Sequence, residues 1–398
     1  MKIDKKRNMY DLIIIGGGVA GLFLAANLPK AKVLLLDHAN SLGKKLLITG
    51  GGAANITNDL EPRELLTHFP SKAMQNFLTP SLLTFTGNDL MKWFEDRGVS
   101  LTIREDGHVF PASLSARTIL SNLLAHSKAE MMINCQVLKI TKEEDAFSVE
   151  TNETTFTARL VCLATGGMSY PTTGSDGSGY TLAKALGHPI VSPKPALVPL
   201  LTAEKTAHLS GISLRTIPIT ALGTTTVGDL LFTHDGLSGP GILNRSRDLK
   251  KGDELSIQLI EPHLLEERLL TLPKKQLSTI IKELEIPTML AQEICNRANL
   301  DHTRKGGTLR KEERKLLCSI AGGLSFTVTA TKGFKAAMVT SGGVELAGVN
   351  RKTMESRITP NLFFCGEILD YDGESGGFNI QAACSTAYLA AQTIGERI

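Results

Sequence analysis

The run Tyr10-Asp11-Leu12-Ile13-Ile14-Ile15 passes without a spacer into Gly16-Gly17-Gly18-Val19-Ala20-Gly21, and this junction constrains the fold more than any other feature. A short β-branched apolar run reads as a buried parallel strand. G-x-G-x-x-G directly after it predicts a tight turn into a helix. Gly16 permits the turn, Gly18 lets the backbone approach a pyrophosphate with no Cβ in the way, and Gly21 lets the helix lie close on the strand. The helix, expected to run to about Leu28, offers free N–H groups and the positive end of its dipole to an anion. Residues 32–36 predict a second strand, and Asp37 at its end stands where a carboxylate accepts hydrogen bonds from ribose hydroxyls. None of His38, Ala39 and Asn40 is an arginine, which disfavours a 2′-phosphorylated ribose. Together these predict an α/β, Rossmann-like nucleotide-binding domain. The fingerprint alone leaves NAD and FAD both open.

Residues 12–29 carry no charge and follow Lys5, Lys6 and Arg7, the outline of a signal peptide or a short membrane span. Gly16, Gly17, Gly18 and Gly21, at strand-turn-helix spacing, argue against both. No other segment is long and apolar enough to cross a bilayer, so a cytoplasmic protein with no membrane partner is expected. A chain of 398 residues, 42% hydrophobic, has room for two or three domains and a large core. Its net charge of +3 is too small to predict a polyanionic partner. The six cysteines, Cys135, Cys162, Cys295, Cys318, Cys365 and Cys384, form no C-x-x-C pair. That spacing fits a reduced compartment and predicts neither a metal site nor the vicinal dithiol of flavin disulfide reductases.

Further along, Gly43-Lys44-Lys45 leads into a loop containing Gly50, Gly51 and Gly52, rich in amides and hydroxyls and able to wrap a planar ring with backbone N–H groups. Residues 60–98 read as helical, with Thr86 as an N-cap and Gly98 as a stop. Residues 113–124 read as another helix. Residues 131–140, 147–150 and 154–156 predict a small β-meander, and 159–163 a separate buried strand ending in Ala164-Thr165-Gly166-Gly167. Residues 361–365 predict a buried strand ending in Gly366-Glu367. After Gly376-Gly377, Asn379 is expected to cap a helix that runs toward Arg397. A helix N-terminus placed there favours the negative charge that a flavin gains on reduction. Coupled to a pyrophosphate loop, it favours a flavin. Between these parts, residues 196–258 and 325–340 are β-like, and 262–315 are helical and charged.

These segments together resemble the BaiN-like family of NAD(P)/FAD-dependent oxidoreductases, which includes relatives of a bile-acid reductase, a ribosomal RNA dihydrouridine synthase and an aminoacetone oxidase. The resemblance covers nearly the whole chain. It is carried by residues 14–21, 43–58, 164–200 (beginning ATGGMSYPTTGSDGSGY), 230–243 (LLFTHDGLSGPGIL), 339–344 (VTSGGV) and 353–381 (TMESRITPNLFFCGEILDYDGESGGFNIQ). The family loop reads T-G-G-G-R-C-N-x-T-N, whereas Ala53 and Ala54 stand here in place of its Arg and Cys, so no role of those two side chains carries over. The resemblance implies FAD along Val19, Ala20, Gly21, Asp37, Lys45, Gly50, Gly51, Gly52, Val137, Ala164, Thr165, Gly166, Gly366, Glu367, Gly377, Asn379 and Ile380. It also implies a discontinuous FAD-binding domain, residues 1–192 and 336–398, with an inserted β-barrel domain at 193–261 and 316–335 and a small helical domain at 262–315.

Flavin carries the hydride chemistry, so an essential acid or base can be absent. His234, in the turn-rich Phe232-Thr233-His234-Asp235-Gly236, is the best titratable candidate for catalysis; the alternative is a histidine that fixes its own loop. Asp370, Tyr371 and Asp372 follow the Gly366-Glu367 turn and read as a solvated turn, or as groups reaching the flavin edge. Gly342 and Gly343 leave room beside a ring or form a bulge. A single fingerprint argues against a dedicated NAD(P)H domain and leaves NAD(P)H as a transient donor. From Arg297 to Lys315 seven basic residues stand against three acidic ones, a patch that could meet RNA phosphates or be an ordinary exposed helical face. The expected activity is an FAD-dependent oxidoreductase that reduces an activated C=C bond of a small molecule with hydride through flavin N5. Kept beside it are an RNA-modifying flavoenzyme of the dihydrouridine synthase type, an amine oxidase, and a flavin-bound module without turnover.

Overall fold

The computed structural model describes residues 9–398, so Lys5, Lys6 and Arg7 lie outside the described residues. The uncharged stretch after them is a strand and a helix: β1 (Tyr10–Ile15), with residues 12–14 fully buried, and α1 (Val19–Ala26), followed by β2 (Val33–Leu36). Burying one such Leu, Ile or Phe side chain stabilises the fold by about 1.5–3 kcal/mol. Among the described residues no helix is long and apolar enough to cross a membrane.

β1 lies at the middle of a seven-stranded sheet, parallel to β2 on one side and to Thr155–Leu163 on the other. Glu130–Met132 adds to β2 and Leu362–Phe364 to the far side of Thr155–Leu163, both parallel. Two expectations change here. Residues 154–156 and 159–163 are one nine-residue strand, whose first half pairs antiparallel with Phe147–Thr151 and whose buried second half pairs with Leu362–Phe364. Residues 130–132 leave the meander for the parallel edge. The exposed-to-buried change along Thr155–Leu163 looked like a break in sequence, but it is one strand passing from the edge of the sheet into its interior.

The stretch expected to be one helical region holds helices Pro62–Leu65, Lys72–Thr84 and Gly87–Glu95. The last of these is capped as expected: Thr86 accepts from the Asp89 N–H while Asp89 reaches back to the Thr86 N–H, at 2.8 Å. The long C-terminal helix Phe378–Gly395 packs on α1, and its Ala382, Ala383, Ala387, Ala390 and Ala391 are buried.

The chain divides into two compact units, one made of the residues up to Ala196 with Phe334–Ile398, the other of Leu197–Gly333. The second is a closed six-stranded barrel in the order Leu200–Thr202, Gly236–Ser238, Thr224–Thr233, Ser213–Ala221, Glu254–Ile257, Leu324–Thr331. Helices Pro262–Thr271, Leu277–Lys282, Thr288–Arg297 and Lys311–Gly322 share its core, in which Leu265, Ile280, Ile294 and Leu317 join Ile219, Phe232, Ile257 and Phe326.

Candidate functional site

Ile15 is in register with both Leu36 and Leu163, Leu163 with Phe364, and Leu36 with Met132, so five parallel strands end at one level. Open α/β sheets bind ligands outside this edge. The residues leaving it include Gly16, Asp37, Ala164 and Gly366. A solvent-open cleft there is lined by Gly16, Asp37, His38, Val137, Thr165 and Ser178, of which Gly16, Asp37, Val137 and Thr165 are expected cofactor residues from distant parts of the sequence. Thr165 Oγ1 is buried with no hydrogen-bond partner. A ligand hydroxyl or nitrogen would satisfy it.

The three fingerprint glycines answer to different neighbours. Gly16 has φ +109°, and a Cβ there would collide with the Ala164 backbone. At Gly21 a Cβ would collide with the Gly16 carbonyl. At Gly18, φ is −77°, open to any residue, and a Cβ would meet nothing within 4 Å. Neither backbone strain nor protein packing calls for glycine at 18, and space kept clear at a helix start fits a bound pyrophosphate. Gly18 is also the N-cap of α1, with no side-chain cap and no acid in the first turn, so an anion has no protein competitor. Asp37 differs in part from expectation. Its Oδ2 accepts from the Gly17 N–H at 2.6 Å and its Oδ1 from the Ala39 N–H at 2.7 Å, so the carboxylate first fixes the turn and has only its remaining lone pairs for a ribose.

At the other end, the Phe378–Gly395 helix also begins without a side-chain cap. The expected cap, Asn379, lies inside the helix and reaches backward, accepting from the Gly373 N–H at 2.8 Å and donating to the Gly373 and Glu374 carbonyls. The N-cap is Gly377 at φ +90°, pressed against the Thr57 carbonyl. Ile380 follows in the first turn, half-buried. Asn379 thus shapes the loop and leaves the helix N–H groups to a ligand. Gly50, Gly51 and Gly52, at φ +59°, +67° and +92°, form a tight turn after the short helix α2 (Lys44–Ile48). Ala54 is fully buried at φ +58°, so the position the family fills with Cys faces the core.

Residues from four segments meet around one carboxylate. Lys45 Nζ donates to Glu367 Oε2 at 2.6 Å and to Ser169 Oγ at 2.5 Å. Ser169 Oγ donates to Glu367 Oε1 at 2.9 Å, and the Thr340 N–H donates to the same oxygen at 2.8 Å. Lys45 and Glu367 are both expected site residues. Ser169 and Thr340 were missed, and the only signal for them was their place in the family-like motifs ATGGMSYP and VTSGGV.

The HI0933-like protein Rossmann domain family matches residues 10–393. The chain belongs to this family. The BaiN-like resemblance read from its motifs therefore holds. Within the HI0933-like family, the chain is 32% identical over 402 residues to a ribosomal RNA dihydrouridine synthase of Haemophilus influenzae, covering 97% of this chain and 98% of that protein. It is 29% identical over 419 residues to a 3-dehydro-bile acid delta(4,6)-reductase of Clostridium scindens, covering 98% and 100%. Among solved structures, the 3-ketosteroid delta1-dehydrogenase from Sterolibacterium denitrificans shares the fold, with a TM-score of 0.52 and 12% identity over 98% of this chain and 100% of that one.

Other expected groups of this HI0933-like chain have surroundings of their own. His234 is in the second unit, exposed in the turn between Thr224–Thr233 and Gly236–Ser238. It does not fix its loop by hydrogen bonds; the neighbouring Asp235 is tied instead to Lys332 at 2.6 Å. The solvated turn expected at 370–372 is not solvated. Tyr371 and Asp372 are buried, Tyr371 packs edge-on against Phe69, and burial raises the Asp370 carboxyl above its usual range. Gly342 and Gly343 serve the backbone: a Cβ at either would lie 2.6 Å from a carbonyl, of Ser192 and Ile368 respectively. Parallel pairing brings Cys162 and Cys365 to 3.6 Å, a juxtaposition that spacing could not show. Both are buried, and burial pushes the Cys162 thiol well up, away from the reactive thiolate. In the basic patch, Arg297 pairs with Glu293, Arg304 with Glu313 and Arg314 with Glu266, whereas Lys305, Lys311 and Lys315 are exposed and form no ion pair among the described residues.

Proposed function

We propose that the protein is an FAD-dependent oxidoreductase that reduces a C=C bond activated by a neighbouring carbonyl. The observation that carries this reading is the clear space at Gly18, before an uncapped helix, on the strand-end edge that also holds Asp37, Ala164 and Gly366. Bound FAD supplies hydride chemistry at N5. In this reading Gly16, Gly18, Val19, Ala20 and Gly21 hold the diphosphate. Asp37, Val137, Thr165 and Gly166 hold the adenosine side. Lys45, the Gly50 to Gly52 turn, Gly366, Glu367, Gly377 and Ile380 surround the ring end. The N–H groups of the Phe378–Gly395 helix, freed by the backward turn of Asn379, favour negative charge at that end.

The names of the two relatives support the reaction class, since a dihydrouridine and a reduced bile-acid ring both arise by adding hydrogen across a conjugated C=C bond. The substrate we favour is a small molecule. A ribosomal uridine is the second reading, supported by the 32% identity to a dihydrouridine synthase and by exposed Lys305, Lys311 and Lys315. NAD(P)H is proposed as a transient electron donor. The test is an anaerobic visible spectrum of the purified protein before and after NADH or NADPH. Flavin bands that bleach with a pyridine nucleotide and return with an enone, but not with unmodified ribosomal RNA, support the small-molecule reading. Return with RNA alone supports the second. Protein that stays colourless after incubation with FAD overturns both.

A further inference from the structure

Glu367 is expected to be a direct FAD contact, yet its carboxylate already receives three protein hydrogen bonds. Oε1 accepts from Ser169 Oγ and the Thr340 N–H, and Oε2 accepts from Lys45 Nζ. The donors run in one direction. The N–H groups of Met168 and Ser169 both donate to Thr340 Oγ1, at 2.8 and 3.1 Å, which leaves the Thr340 hydroxyl proton pointing to Ser169 Oγ at 3.3 Å. The Ser169 hydroxyl then donates to Glu367, and Lys45 donates to both Ser169 and Glu367. Ser169 and Thr340 are fully buried, so water does not replace these bonds. A lysine ammonium has three protons. Two are spent here, and the side chain keeps 23% of its surface exposed.

We propose that Ser169 and Thr340 are positioning residues that act through Lys45: with Glu367 they lock its flexible stem so that its third N–H is delivered to a hydrogen-bond acceptor on FAD. This rests on the FAD reading above. A free lysine spends rotamer entropy on every bond it makes, whereas a clamped one has already lost it. The Glu367 carboxylate thereby orients the cation first and has only its remaining lone pairs for the cofactor. Gly167 makes the arrangement possible, since a Cβ there would collide with the Thr340 side chain.

The test is the FAD dissociation constant, read by quenching of flavin fluorescence, in the full chain and in Ser169→Ala, Thr340→Val, Thr340→Ser, Lys45→Met and the Ser169→Ala/Lys45→Met double variant, with apoprotein melting followed in parallel. Ser169→Ala and Thr340→Val should each weaken binding about tenfold. Thr340→Ser, which keeps the hydroxyl, should restore it, and Ser169→Ala should add nothing once Lys45 is gone. A Ser169→Ala effect that persists in full beside Lys45→Met, or FAD binding within twofold of wild type in both hydroxyl variants, overturns the proposal. Wild-type protein that binds no FAD instead overturns the reading on which it rests.

Discussion

Gly16 and Gly18 stand two positions apart in one motif but are glycine for different reasons, and substitution separates them. Gly16→Ala forces a side chain into left-handed backbone and against Ala164, so the apoprotein should lose about 1–3 kcal/mol, seen as a lower melting temperature. A Cβ at Gly18 meets nothing within 4 Å, so the Gly18→Val apoprotein should melt close to wild type while FAD retention is abolished. Equal loss of apoprotein stability in both variants would remove the argument for a reserved pyrophosphate space. His188 gives a prediction of another kind. Its ring is buried against Phe364 and shares a hydrogen bond with Ser356 at 2.8 Å, and burial lowers its pKa. The folded protein therefore holds the imidazole neutral, whereas the unfolded chain takes up a proton below about pH 6.5. The stability linked to this group is present above that value and is lost as pH falls toward the lower folded pKa. Melting temperatures at pH 7.5, 6.5 and 5.5 should fall more steeply for wild type than for His188→Gln.

At the scale of elements, the capping box between Thr86 and Asp89 fixes the start of Gly87–Glu95, and Thr86→Ala should cost about 0.5–2 kcal/mol in chemical denaturation without altering FAD affinity. That cap was legible in sequence, as were β1, α1 and β2, because a cap, an apolar run and a glycine spacing are local patterns. Asn379 was misread for a related reason. An Asn near a helix start is a good cap by composition, but whether its amide turns inward or back to Gly373 depends on the path of the preceding loop. The division of Thr155–Leu163 into two strands had the same origin, since periodicity changes when one strand passes from edge to interior. The helices beginning at Val19 and Phe378 both start without side-chain caps, which leaves their first N–H groups to water or to a ligand.

Across the whole molecule, two separate apolar cores predict two unfolding transitions in calorimetry. FAD at one hundred times its dissociation constant should stabilise only the unit carrying Gly18 and Asp37, by about 2.7 kcal/mol, and leave the barrel transition unmoved. A shift of both transitions by the same amount would count against separate behaviour. The parts of the site that sequence could not supply are those made by distant pairing: Lys45 with Glu367, 322 positions apart, and the Thr340 N–H on that same carboxylate. No local pattern records such a meeting. The same long separation has a consequence for synthesis. Cys162 and Cys365, neighbours in the finished sheet, lie 203 positions apart. At about 5–20 residues per second a ribosome needs roughly 10–40 s to cover that gap. Throughout that interval the flank of Thr155–Leu163 that will receive Leu362–Phe364 has no partner, so a nascent chain completes its barrel before it can hold a coenzyme, and stalled translation would leave an open sheet edge for chaperones to shield.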